Sequence, residues 1–339
     1  MEDQAEARAQ ALADSGYQPV ESASLTLAFQ QWAVAGEPMP VSLAFPGSGS
    51  HLPLIVYLPG LGETAQAGSR WRQAWARAGY AVLSAQPLEF DATAWSSDLA
   101  RSADFKALAR SHQRPELMAE RLRHVQALLE EARQRGQAGD SLWSRVDFDN
   151  IAFAAYDLGS LAASAVPGAR ATLLLSPLPM DAATAAGITR PLLMIGSQRD
   201  DDLTGLIGSP RQRVQAFPGL PAGNKALLML AGASHGLLSG DVGQESSEQS
   251  GEPATRARSQ PGGLGGGRRS HGMGSGGKAD DGPPASGTRG APGREQAQAI
   301  ETVSIAFLDA QMRGSAQARQ WLDRDAAPWL NRLADWQQR

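Results

Sequence analysis

At 339 residues and 35.7 kDa the chain has room for one large α/β domain or two small ones. Its hydrophobic fraction of 42% against 19% charged allows a core, and the absence of cysteine excludes disulfides, thiolate nucleophiles, zinc–thiolate sites and iron–sulfur clusters. A net charge of −4 with a pI near 5.8 gives no general attraction to nucleic acid or anionic membrane. The longest apolar runs, such as Leu54–Leu58, Ala171–Leu175 and Ala226–Ala231, fall short of the roughly 18–20 residues that a membrane helix needs. The first residues, MEDQAEARAQALADSG, are acidic and helix-prone without a basic and then apolar leader, so a cytoplasmic location is expected. A leader missing from the start would make it periplasmic or secreted.

Residues 1–22 read as an N-terminal tail. Three strand-like runs follow, Ser24–Phe29, Pro40–Phe45 and Leu52–Leu58, separated by Gly, Pro and Ser clusters. The third runs into the turn Pro59-Gly60-Leu61-Gly62. A helix is predicted over Ser69–Ala78, closed by Gly79, and then a buried strand over Tyr80–Ala85. Pro115 opens a helix to about Gly136, with Leu117, Leu122, Val125, Leu128 and Leu129 at helical spacing. The segment between, Glu89–Glu116, is expected to cover part of a site. Trp71, Trp75 and Trp95 are possible lining residues, although tryptophans in such helices more often belong to the core. Next come strand Asn150–Ala155, a helix start at Ser160–Ala165, and strands Ala171–Leu175, Pro191–Ile195 and Lys225–Leu230. From Asp241 to about residue 294 the chain is rich in Gly, Ser and Arg, with Val242, Leu264 and Met273 as its only sizeable apolar residues. Such a segment cannot offset the entropy of ordering itself and is expected to be a disordered insertion. Its GGGRRSHGMGSGG run is compatible with RNA binding, but its acidic residues balance the basic ones. Residues 295–339 read as a C-terminal helical part of the domain. Apolar strands alternating with helices predict a mainly parallel sheet covered on both faces, with 23–240 as its core and chemistry at the carboxyl ends of the strands.

Three loops stand at such ends. In FAAYDLGSLAAS, Ala155 and Gly159 bracket Asp157 at the spacing of a nucleophile elbow, a tight strand-to-helix turn that needs small neighbours. GSQRDDDLTG places Asp200, Asp201 and Asp202 after the next strand but one, and LAGASHGLLSG places His235 after the last. Each has an ordinary reading: a helix N-cap, a solvated turn, an exposed histidine. The order nucleophile, acid, histidine after successive apolar strands is that of the α/β-hydrolase triad.

With those residues in view, the chain resembles the α/β-hydrolase superfamily, and within it the dienelactone-hydrolase and platelet-activating-factor acetylhydrolase-like group. The resemblance spans about Leu52 to Gly240 and resumes at the C-terminal helix. LPAGNKALLMLAGASHGLLSG is similar to the group's histidine segment, GSQRDDDLTG to its acid loop, and RVDFDNIAFAAYDLGSLAA to its elbow. YLPGLGETAQAGSRWRQAWARAGYAVLSAQP is similar to its oxyanion-hole strand, turn and helix. The resemblance implies a single domain without a large cap, catalytic Asp157, His235 and Asp200, and oxyanion donors at the backbone N–H groups of Leu61 and Leu158. Two positions depart from the group: Asp157 stands where serine is usual, and Pro59-Gly60 where His-Gly is usual.

A carboxylate suits attack on saturated carbon better than acyl transfer, in which it would form a high-energy mixed anhydride. The expected function is therefore a hydrolase of esterase-like descent with an Asp157-His235-Asp200 triad acting on a small ester or related molecule. Alkyl-enzyme chemistry, as in epoxide and carbon–halide hydrolysis, is within its reach. The alternative is a catalytically degenerate member that binds partners. Two carboxylates flanking His235 would favour its imidazolium form while Asp157 is ionised. Ser160 is the nearest other hydroxyl but sits too far along the helix to face the histidine. No cofactor or metal is implied: PGLGETAQAG lacks the Walker lysine and the GxGxxG spacing, and the Asp triplet lacks calcium-loop spacing. The expected partner is a small-molecule substrate, with neither nucleic acid nor a membrane span.

Overall fold

Runs such as LPLIVYL and ATLLL carry apolar side chains at every position, which a strand can bury only when both faces of its sheet are covered. The computed structural model describes residues 2–20, 24–240 and 293–339 and shows this arrangement. Its nine-stranded sheet has the order β1-β2-β4-β3-β5-β6-β7-β8-β9. The parallel centre consists of β3 (Leu52–Leu58), β4 (Ala81–Ala85), β5 (Val146–Tyr156), β6 (Ala171–Leu175), β7 (Leu192–Arg199) and β8 (Lys225–Ser234). At one edge β1 (Leu25–Val34) and β2 (Glu37–Pro46) pair antiparallel as a hairpin, and at the other β9 (Ala334–Gln338) pairs antiparallel with β8. The hairpin turns on Ala35 and Gly36, both at positive φ (53° and 84°), as a two-residue turn that follows strand twist requires.

The period of two sorts the core onto the two faces. Ile55 and Tyr57 join a cluster with Trp71 and Trp75 of α2 (Ser69–Arg77) and Val303 and Phe307 of α11 (Arg294–Met312). Leu54, Val56 and Leu58 point the other way, to Val125 and Leu128 of α6 (Pro115–Gln137) and Ala162 of α7 (Gly159–Ala165). Between β4 and α6 lie the short helices α3 (Glu89–Ala92), α4 (Asp98–Arg101) and α5 (Phe105–His112), on the segment expected to cover a site. The connection from β6 to β7 carries only α8 (Ala182–Gly187), and that from β7 to β8 the short α9 (Pro210–Arg213) and a 3-10 turn at Phe217–Gly219. After β8 comes α10 (His235–Ser239).

Three boundaries are corrected. Residues 1–22 are not simply a tail: α1 (Glu2–Ser15) packs on α11, and Trp329 Nε1 donates to the Leu12 carbonyl at 3.1 Å. The C-terminal part begins at Arg294, continues through α12 (Ala316–Arg324) and α13 (Ala326–Leu330), and ends in a strand, β9, not a helix. The first strands are longer than their apolar cores, because Trp32 and Val34 are buried beyond the run that marked β1. The Gly/Ser/Arg-rich insertion and its RNA-binding reading fall on 241–292, outside the described residues. Among the described residues no helix is long and apolar enough to cross a membrane.

Candidate active site

Asp157 directly follows β5 and lies two residues before α7. Its φ of +44° is in the left-handed region, uncommon for a side chain other than glycine and a mark of a constrained turn. Gly159 explains how the turn closes: a Cβ there would lie 2.3 Å from the Leu58 carbonyl oxygen and 2.6 Å from that of Pro59, so only glycine lets α7 approach β3 this closely. The Asp157 N–H donates to the Leu175 carbonyl at 3.1 Å, which ties the elbow to β6.

The turn after β3, Pro59-Gly60-Leu61-Gly62, is pinned from several sides. Gly60 N–H donates to Glu63 Oε2 at 2.7 Å, and Gln86 Nε2 donates to the carbonyls of Gly60 and Glu63 at 2.9 and 3.1 Å. Gly62 N–H donates to the Asp91 carbonyl at 2.9 Å, and Trp95 Nε1 to the Leu61 carbonyl at 3.3 Å. With the turn fixed this way, Leu61 N–H points to Asp157 Oδ2 at 3.5 Å. The Leu158 N–H lies at the open N-terminal end of α7, where backbone N–H groups have no intrahelical acceptor.

Of the three aspartates, Asp200 is the one that meets His235. Asp200, 1% exposed, accepts from His235 Nδ1 at 2.6 Å and from Ser176 Oγ at 2.9 Å through Oδ1. Asp201 is exposed. Asp202 caps its own loop by accepting from Thr204 N–H and Oγ1 and from Ile207 N–H. Burial works to raise the Asp202 carboxyl, but those donors and Arg213 outweigh it and hold its pKa below the usual carboxylate range. Because Nδ1 faces a carboxylate it carries the proton, which leaves Nε2 of neutral His235 as the basic nitrogen.

Asp157 and His235 border one cavity of about 270 Å³, together with Leu61, Glu63, Trp95 and Tyr156. No hydrogen bond or ion pair joins the two. The Asp157 carboxylate instead meets Arg213, whose Nη1 donates to Oδ1 at 3.4 Å. Arg213 is 1% exposed and also lies 3.4 Å from Asp200 and 4.0 Å from Asp202. Where two carboxylates were expected to flank His235, the structure places the buried Arg213 guanidinium beside both of them.

Ser160 is turned away as expected, accepting from Leu178 N–H at 3.0 Å. Trp71 and Trp75 are core residues, bonded to the Leu238 carbonyl and Ser304 Oγ, whereas Trp95 does line the cavity. Arg213, Ser176, Glu63 and Tyr156 were not singled out from the sequence. Ser176 carried a usable signal, its place directly after an apolar strand. Nothing in SPRQRVQ separates Arg213 from Arg211. Tyr156 gives its hydroxyl proton to the His235 carbonyl at 3.0 Å, and burial, with the charges of Glu63, Asp157 and Asp200, pushes its pKa well above the usual range. No protein-family model matches the chain, and no curated protein matches it.

Proposed function

We propose that the chain is a hydrolase of α/β-hydrolase type in which Asp157 is the nucleophile. The supporting observation is the Asp157 carboxylate at a strained strand-to-helix turn, Oδ2 on the Leu61 amide, facing one cavity with a His235 held by Asp200. Asp157 attacks a saturated carbon and its leaving group departs with the bond's electron pair, giving an ester of Asp157. Esterification removes the negative charge. His235 Nε2 then takes a proton from a water that attacks the ester carbonyl carbon, and the N–H groups of Leu61 and Leu158 hold the oxyanion. Collapse expels the alkoxide, which takes the proton back from His235 and leaves as an alcohol, and the new carboxyl of Asp157 loses its proton to solvent to restore the carboxylate. The absence of a hydrogen bond between Asp157 and His235 suits this order, because the water works between them.

The same geometry disfavours substrates whose leaving oxygen must be protonated. The one phenol on the wall, Tyr156, is already donating to a backbone carbonyl and holds its proton tightly. Leaving groups stable as anions are therefore favoured over epoxides. The test is turnover of an aryl acetate, an epoxide and a haloalkane by the native chain and by Asp157→Ala and His235→Ala. Turnover of the haloalkane that both variants abolish supports the proposal, and activity that survives Asp157→Ala removes it.

A second reading, a binding protein of hydrolase descent, is favoured by the Arg213–Asp157 pair, which engages the oxygen that would attack. It predicts that no member of the panel is turned over.

A further inference from the structure

A larger cavity, about 700 Å³, lies beside the Asp157 cavity and shares no lining residue with it. It opens between the start of β2 and α6. Pro38, Met39 and Pro87 give it an apolar wall, while Glu37, Glu89 and His124 supply charge and hydrogen-bonding groups. Gln86 also lines it, and its Nε2 is the donor that holds the Gly60 and Glu63 carbonyls of the oxyanion turn.

The chemistry of His124 points to the kind of group the cavity fits. His124 is 2% exposed, and its Nδ1 lies 3.1 Å from the Glu120 carbonyl oxygen. A carbonyl only accepts, so Nδ1 carries the proton and Nε2 of the neutral ring presents a lone pair. Nε2 faces Glu37 Oε2 at 3.7 Å, so with the ring neutral two acceptors look at each other across a gap longer than a hydrogen bond. A donor placed between them satisfies both. An ammonium group offers three N–H donors and a positive charge that matches Glu37 and Glu89, and the apolar wall takes the carbon body attached to it.

We propose that this cavity is a binding site for an organic ammonium ion with an apolar body, separate from the Asp157 site. The competing arrangement is a doubly protonated His124 that bonds Glu37 by itself and needs no ligand. Calorimetric titration of the full chain with benzylammonium chloride, and with benzyl alcohol as the neutral isostere, separates the two. The expected result is one saturable site per chain, with the alcohol bound at least about tenfold more weakly because it lacks the charge. Glu37 is largely exposed, so Glu37→Gln preserves the fold, and it should weaken the amine at least about tenfold while Asp157→Ala leaves it unchanged. Absence of saturable binding, equal affinity for amine and alcohol, native affinity in Glu37→Gln, or loss of binding in Asp157→Ala would each overturn the proposal.

Discussion

Gly159→Ala tests the elbow that presents Asp157. The added Cβ would stand 2.3 Å from the Leu58 carbonyl oxygen, 2.6 Å from that of Pro59 and 2.9 Å from the Leu58 carbonyl carbon, where ordinary contacts begin at 3.4 Å. All three obstacles are backbone atoms of β3 and its turn, so no rotamer change relieves them. About 1 Å must open between α7 and the strand. Overpacking of this kind costs about 1–3 kcal/mol, and backbone against backbone belongs at the upper end. At about 2–4 °C per kcal/mol for a domain of this size, a 3 kcal/mol loss lowers Tm by about 6–12 °C. Gly187→Ala is the matched control. It lies at the end of α8 with nothing within 4 Å of its would-be Cβ, and gains about 0.4–1 kcal/mol from a less flexible unfolded chain. Circular dichroism melts of the three proteins compare them directly. A Gly159→Ala protein melting within about 1 °C of the native chain would refute the close approach of α7 to β3.

Arg213→Met leaves Asp157, Asp200 and Asp202 without their common counter-charge in a buried setting, and should cost about 3–5 kcal/mol in urea unfolding. Adding Asp157→Asn should recover part of that loss, and strict additivity of the two changes would contradict the coupling. Asp91 is fully buried between His112 Nδ1 at 2.8 Å and Arg121 Nε at 2.6 Å. Burial works to raise its carboxyl, but these partners outweigh it and hold the pKa below the usual range. A carboxyl depressed on folding stabilises the protein above its unfolded pKa of about 3.9, and that share is lost as pH falls through the lower folded value. Unfolding free energies measured downward from pH 6 should therefore fall more steeply for the native chain than for Asp91→Asn, and parallel curves would show that the Asp91 carboxylate carries no such share. Trp95→Phe removes the donor to the Leu61 carbonyl but keeps an aromatic wall, so it should lower kcat more than it raises KM. A change confined to KM would mean that Trp95 only binds.

The mainly parallel sheet was legible because apolar strands buried on both faces leave unbroken runs, as at Leu52–Leu58 and Ala171–Leu175. The small residues around Asp157 and His235 likewise marked tight turns at strand ends. Less legible were elements whose burial is one-sided. In β9, ADWQQ buries Ala334 and only half-buries Trp336, too short a pattern to separate from a helix end. The α1 helix shows acidic helix-forming residues but no strong apolar stripe, so its docking on α11 was invisible. The choice of Asp200 over Asp201 and Asp202 needed the backbone direction at the end of β7. Arg213 was the largest omission: its role depends on a loop between β7 and β8 folding back under the elbow, and sequence spacing carries no record of that.

The central claim is that Asp157 forms a covalent ester which His235 is needed to hydrolyse. The most direct measurement is intact-protein and peptide mass spectrometry of the His235→Gln chain after incubation with the haloalkane of the panel. The account predicts a stable mass increase equal to the alkyl group less one hydrogen, confined to the peptide that carries Asp157 and absent from Asp157→Ala. Turnover of that haloalkane by the native chain with no adduct in His235→Gln would contradict it.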